Sequence, residues 1–63
     1  MVYTVEYTYQ NELCINNFIF EHEAKHFAID LGYEGINDVY VREFGKTIGK
    51  ISSINNCYYF ERV

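Results

Sequence analysis

Residues 21–32, EHEAKHFAIDLG, form the segment with the clearest helical pattern, and they decide the fold class. Apolar side chains recur at the spacing of one helical face: Phe20, Ala24, Phe27, Ala28 and Leu31. Glu21 and Glu23 place negative charge in the first turn, where it stabilises the helix, and Glu21 can pair with Lys25. Gly32 is the expected stop, because glycine readily takes the left-handed conformation that ends many helices.

The other segments alternate between apolar and polar residues, as half-buried strands do. Residues 2–10 predict one strand, with Tyr3, Val5, Tyr7 and Tyr9 on the same face. Residues 13–18 fit either a short return strand or an irregular connection, in which the asparagines at 16 and 17 favour a turn or cap. Residues 39–43, 47–52 and 57–62 predict three further strands, with short turns at 44–46 and 53–56.

This order predicts one α+β domain over residues 1–63, in which a helix packs on a largely antiparallel sheet of about four strands. The element order is β-α-β-β-β, with an extra short strand before the helix as the open alternative. Gly49 lies inside a predicted strand, where a glycine indicates either a β-bulge or a position at which another group lies close to the backbone. One helix cannot cover such a sheet, so we expect the opposite face to be wet or partner-bound. A homodimer is one way to cover an open face or edge.

The chain has nine acidic and five basic residues, which gives a formal net charge of -4. Binding to a nucleic-acid backbone needs clustered lysines and arginines, so the balance argues against it. The negative charge of the chain would suit binding to a basic partner surface or imitation of nucleic acid. The simpler alternative is that the charge only keeps the protein soluble.

Cys14 and Cys57 match no metal-ligand or redox spacing, and we expect two free thiols, although a disulfide between them stays open. The N-terminal residues lack a signal-peptide pattern, and no apolar run approaches the roughly 20 residues of a membrane span. We therefore expect no membrane association and a cytoplasmic location.

The string His22-Glu23-Ala24-Lys25-His26 matches HExxH, in which two histidines bind zinc and the glutamate activates water. No third ligand can be named, and zinc peptidases usually have uncharged residues where Lys25 lies. A chain of 63 residues also cannot build both walls of a substrate cleft. We expect the histidines to face solvent, and we expect neither a cofactor nor enzymatic activity. The second alternative is a small zinc-binding protein that binds the metal through His22 and His26.

Three segments carry a resemblance that covers nearly the whole chain: YTVEYTY, NNFIFEHEAKHFAIDLG and NDVYVREFGKTIGKISSINNCYYFERV. In layout they resemble small phage-encoded anti-defence proteins, particularly anti-CRISPR proteins built from a strand, one helix and a C-terminal antiparallel meander. The resemblance implies a non-enzymatic inhibitor in the host-cell cytoplasm, acting by steric or DNA-mimic blocking. The implied partner is a host protein or nucleoprotein complex, namely a host nuclease or effector complex.

Exposed acids and aromatic rings are the side chains we expect to contact a basic partner. The predicted partner-binding residues are Glu6, Glu21, Glu23, Asp30, Tyr33, Glu34, Asp38 and Tyr40. The first alternative is a nucleic-acid-binding module on the Tyr-rich C-terminal sheet, since aromatic rings can stack on bases. Its basic residues would be Arg42, Lys46, Lys50 and Arg62. Direct binding to nucleic acid is expected only of that alternative.

Overall fold

The computed structural model describes residues 2–63, which form one helix and five strands. In chain order these are β1 (Tyr3–Tyr9), β2 (Glu12–Phe18), α1 (Glu21–Tyr33), β3 (Tyr40–Glu43), β4 (Lys46–Ile54) and β5 (Cys57–Arg62). The strands form one antiparallel sheet in the order β2-β1-β3-β4-β5, and α1 contacts every strand. The predicted α+β architecture is confirmed, and the extra strand before the helix is β2.

The expectation of a turn or cap at Asn16 and Asn17 is wrong. Both residues lie inside β2, where Asn16 is opposite Val5 and Asn17 is opposite Thr4. The hydroxyl of Tyr7 donates a hydrogen bond to Oδ1 of Asn16 at 3.0 Å. This bond gives the Asn16 side chain a cross-strand partner, so asparagine fits the strand at this position.

Three two-residue turns set the antiparallel pairing of neighbouring strands. Both central residues of each turn have positive φ, as in type I′ turns, and the pairs are Gln10–Asn11, Phe44–Gly45 and Asn55–Asn56. The backbone twist of such turns matches the right-handed twist of the strands they join. Each of these pairs ends in Asn or Gly, the residues that adopt positive φ at least cost.

The helix contributes small side chains to the core, while the sheet contributes larger ones. The fully buried apolar residues are Val5, Ala24, Ala28, Val39 and Val41. Aromatic and aliphatic side chains that are partly buried surround them, including Tyr3, Tyr7, Phe18, Phe27, Leu31, Ile51 and Phe60. Burying one valine side chain contributes on the order of 1.5–3 kcal/mol, so this small core depends on every member.

The prediction that Gly32 ends the helix is wrong, because α1 continues to Tyr33. Gly32 is buried, and a Cβ atom there would lie 2.6 Å from Cδ1 of Tyr58 and 3.1 Å from Cγ2 of Ile51. Gly35 instead takes the left-handed conformation after the helix, with φ of 91°. The glycine at 32 therefore serves close packing between helix and sheet.

The assignment of Phe20 to the buried helical stripe is also wrong. Phe20 is the N-cap residue in extended conformation, and 56% of its surface is exposed. Its ring stacks on that of His22, with the ring centres 5.8 Å apart. Helical spacing does not predict the orientation of a residue that precedes the first turn, because the backbone of that residue is not helical.

The expectation that Gly49 marks a bulge or a close approach is confirmed on both counts. The pairing register of β3 and β4 shifts between Val41 and Arg42, next to the Val41–Gly49 pair. The ring of Phe60 lies directly over Gly49, and an added Cβ would collide with that ring and lie 2.8 Å from the carbonyl oxygen of Glu61. Only a residue without a side chain fits beneath Phe60.

We expect Gly49→Ala to lower the free energy of unfolding by about 1–3 kcal/mol, because the methyl group must displace Phe60 or the β5 backbone. Urea unfolding followed by circular dichroism measures the loss. Ser53→Ala, at an exposed position of the same strand, is the matched control and should stay within about 0.5 kcal/mol of the wild type. A Gly49→Ala variant as stable as the control would contradict the packing described for Phe60.

Candidate functional site

The side of the sheet away from α1 is uncovered and is here called the open sheet face. Residues that pair directly across strands share one face of a sheet. The pairing of Ile15 with Glu6, Glu6 with Tyr40, Tyr40 with Lys50 and Lys50 with Glu61 therefore makes one row across all five strands. We call this the central row. Along the central row the charged residues alternate in sign, with Glu6 on one side of Tyr40 and Lys50 followed by Glu61 on the other.

Exposed apolar side chains accompany the charges of the open sheet face. Leu13 is 66% exposed, Ile15 51% and Tyr40 38%, and Ile54 and Tyr59 are also exposed. The sequence-based prediction named only Tyr40 among them. The sequence did contain a signal for Leu13 and Ile15, because they alternate with Cys14 and Asn16. In a strand over residues 12–18 this alternation places the two aliphatic side chains on one face.

A shallow recess of about 180 Å³ lies on the open sheet face, with Glu6, Leu13, Asp38, Tyr40 and Arg42 among its lining residues. Nε of Arg42 lies 3.0 Å from Oε2 of Glu6, so charge attraction links the two side chains across β1 and β3. Pockets that enclose small-molecule ligands have volumes of about 300–1,000 Å³. This recess suits one side chain of a docked protein better than a small substrate.

The outward surface of α1, here called the helix side, carries Glu23, His26 and Asp30, followed by Tyr33 and Glu34 at the helix end. All five are exposed. Glu23 and Asp30 are seven residues apart, which places them about 10 Å apart along one face of the helix. Within residues 2–63, neither they nor Glu34 form an ion pair. The helix side therefore presents uncompensated negative charge.

Glu21 at the start of α1 is the centre of a cluster that ties the helix to the sheet. Its Oε2 atom lies 2.6 Å from Nζ of Lys25 and 3.0 Å from Nη2 of Arg62. The Tyr3 hydroxyl lies 3.5 Å from Oε1 of Glu21 and 3.2 Å from Oε2 of Glu43, so one hydrogen serves two carboxylates. We call these five side chains the Glu21 cluster.

The Glu21 cluster shifts the pKa of two of its members in opposite directions. The hydrogen bond from Lys25, aided by the charges of Lys25 and Arg62, lowers the pKa of Glu21 against a smaller opposing effect of desolvation. Desolvation first, and then the Glu43 and Glu21 carboxylates, raise the pKa of Tyr3 above its ordinary value of 10.0. Both shifts favour the protonation states that hold the cluster together near neutral pH.

The structure divides the predicted partner-binding residues between the two sides of the molecule. Glu6, Asp38 and Tyr40 meet at the recess of the open sheet face. Glu23, Asp30, Tyr33 and Glu34 lie on the helix side, and Glu21 lies in the cluster beside it.

Tyr33 also has a packing role. Its hydroxyl accepts a hydrogen bond from the Tyr58 backbone N–H at 3.2 Å, and the two rings meet edge to face.

The four basic residues of the nucleic-acid alternative do not form one free surface. Arg42 contacts Glu6 on the open sheet face, while Arg62 contacts Glu21 on the opposite side. Cross-strand pairing places the remaining two, Lys46 and Lys50, directly opposite Glu43 and Glu61. A groove that follows a phosphate backbone needs several adjacent cations, and here each cation faces a carboxylate.

The two histidines of the HExxH string lie one turn apart on exposed positions of α1, with ring centres 6.5 Å apart. Over residues 2–63, no group of three or more His, Cys, Asp or Glu side chains is arranged to hold a metal ion. The zinc chemistry of the string requires a third protein ligand, and in the described part of the chain none is positioned to complete a site with the two histidines.

The two cysteines lie on the two edge strands, Cys14 on β2 and Cys57 on β5, and both are free thiols. Four strand spacings of about 4.8 Å separate these edges, whereas disulfide-bonded Cα atoms lie about 4.4–6.8 Å apart. The alternative of a disulfide within the chain is therefore excluded by the strand order.

No helix in residues 2–63 has the length and apolar character needed to cross a membrane.

Comparisons with protein-family models, with curated proteins and with solved structures found no match to this chain.

We expect stability to fall as the pH drops below about 4.5, the ordinary pKa of a glutamate. The unfolded chain binds a proton at Glu21 in that range while the folded chain, with its lowered pKa, does not, so acid favours unfolding. Glu21→Gln should lower the melting temperature at pH 7 and flatten its fall between about pH 5 and pH 3. Glu23→Gln, at an exposed position in the same helical turn, is the control; an equal flattening there would contradict the role of the cluster.

We expect the protein to retain less than one equivalent of zinc after dialysis, because only His22 and His26 would ligate it. Elemental analysis of wild type and His26→Ala measures the retained metal, and the two should agree. One equivalent in the wild type that His26→Ala loses would restore the metal-site hypothesis.

Proposed function

We propose that this chain is a non-enzymatic binding protein of phage or mobile-element origin that inhibits a host defence nuclease or effector complex. It acts in the host-cell cytoplasm by occupying a basic surface that otherwise binds nucleic acid. The layout resemblance to anti-CRISPR proteins suggests the class of partner, and the arrangement of charge suggests the surface used.

The observation that carries this proposal is the row of uncompensated carboxylates on the helix side. Glu23, Asp30 and Glu34 are exposed and have no ion-pair partner within residues 2–63. By contrast, Glu6 and Glu21 are engaged by arginine or lysine. Free carboxylates along one helix resemble a stretch of phosphate backbone to a basic groove, and they accelerate association with it.

Size and rigidity favour blocking over catalysis. The molecule measures 32 × 25 × 17 Å, and its recess on the open sheet face is shallow. The helix side is held to the sheet at both ends, by the Glu21 cluster and by the Tyr33–Tyr58 contact. A surface that is already ordered loses little conformational entropy when it binds, which favours affinity.

The test is an inhibition assay with purified CRISPR effector nucleases and restriction nucleases, measuring DNA binding and cleavage with increasing amounts of this protein. We expect at least one nuclease to lose DNA binding, and inhibition to weaken as salt rises. The double variant Glu23→Gln/Asp30→Asn should raise the inhibitory concentration roughly tenfold or more, since it removes two contacts to a basic surface.

A charge-matched control separates the helix side from net charge. Glu12→Gln/Glu61→Gln removes the same two charges from exposed positions on β2 and β5, off the helix. We expect it to inhibit like the wild type. Equal weakening by both double variants would contradict a contact through the helix side, and a gel shift with free DNA would favour the nucleic-acid alternative.

A further inference from the structure

We propose that the open sheet face binds a second copy of this chain, face to face, about a two-fold axis that runs parallel to β3 through Tyr40. The dimer does not depend on the proposed function, because it uses the opposite side of the molecule. It would leave both helix sides outward and give the assembly two identical acidic surfaces.

The charge order of the central row supports this axis. From β2 to β5 the row reads Ile15, Glu6, Tyr40, Lys50 and Glu61. A two-fold rotation about the strand direction reverses the row, so Glu6 meets Lys50 of the second copy, Ile15 meets Glu61, and Tyr40 meets its own equivalent. A two-fold axis across the strands would instead place Glu6 against Glu6 and Lys50 against Lys50, which repels.

The same rotation matches the neighbouring row. Leu13 pairs with Thr8 on β1, and Tyr59 pairs with Ser52 on β4. Reversal places exposed Leu13 over exposed Tyr59 of the second copy, and Thr8 over Ser52. Asp38 and Arg42, which flank Tyr40 in the recess, also lie near the axis, where their opposite charges offset each other; Arg42 in addition contacts Oε2 of Glu6 in its own chain. The apolar contacts flank the charged ones, so the interface combines the apolar and polar contacts found in many protein interfaces.

The available area suits a modest dimer. The two longer dimensions of the molecule, 32 and 25 Å, bound the sheet at about 800 Å², and a standard interface buries about 800 Å² on each partner. Antiparallel sheets pack face to face at about 10 Å when apolar side chains interdigitate. Since the face also contains charges, we expect association in the micromolar range.

Sedimentation equilibrium from micromolar to millimolar concentration tests the dimer. The wild type should shift from the 7.5 kDa chain mass to twice that mass. Lys50→Glu should weaken association roughly tenfold or more, since the introduced carboxylate would face Glu6 of the second copy. Ile19→Glu, at an exposed residue outside the strands, is the control and should dimerise like the wild type.

A mixing experiment tests the axis itself. Lys50→Glu alone and the double variant Glu6→Lys/Arg42→Glu, which keeps an ion pair between positions 6 and 42 with the charges exchanged, should each be largely monomeric, because like charges meet twice in each homodimer. An equimolar mixture of the two variants should dimerise, because each variant then supplies the opposite charge at both contacts. Thermal unfolding of each variant shows that loss of the dimer is not loss of the fold.

Three outcomes would overturn the proposal. A wild type that stays at the single-chain mass throughout would exclude the dimer, and the face would then be left for a different protein. Variants that dimerise as tightly as the wild type would exclude the open sheet face as the interface. A mixture that stays monomeric while both variants are folded would exclude the two-fold axis proposed here.

Discussion

The close approach of α1 to the sheet is the constraint on which the rest of the structure depends. Ala24, Ala28 and Gly32 follow one another at four-residue intervals and are all buried. Because their side chains are minimal, the helix axis lies near the strands and the sheet can supply the bulky residues. Tyr58 occupies the space that a side chain at Gly32 would need. A chain of 63 residues has a small core, so it depends on this tight fit.

The sequence predicted those parts of the fold that depend on local period. The alternation of Tyr3, Val5 and Tyr7 and the helical spacing of Ala24 and Ala28 correctly indicated a helix on an antiparallel sheet. Two predictions that rested on the preferences of single residues were wrong, although the one for Gly49 was confirmed. Gly32 packs instead of ending a helix, and Asn16 pairs across strands, because tertiary contacts override weak local preferences.

The candidate sites were predictable as residue types but not as surfaces. Glu6 and Glu23 are both acidic residues of amphipathic segments, and nothing local distinguishes them. The strand order places Arg42 beside Glu6, whereas no ion pair forms at Glu23 among residues 2–63, so one charge is compensated and the other is not. Such long-range pairing depends on which strands become neighbours. It therefore separates an open sheet face, where acidic and basic residues alternate, from a helix side that carries uncompensated carboxylates.

The placement of β1 next to β3 inside the sheet has a consequence for how the chain folds. Two-residue turns connect β1 to β2, β3 to β4 and β4 to β5, so these pairs form between near neighbours in the chain. The seam between β1 and β3 instead joins distant residues, such as Glu6 and Tyr40. Closing a loop of that length costs about 3 kcal/mol of chain entropy. Because loop closure comes before the contacts that offset its cost, we expect formation of this seam to limit the rate at which the N-terminal hairpin and helix join the C-terminal meander.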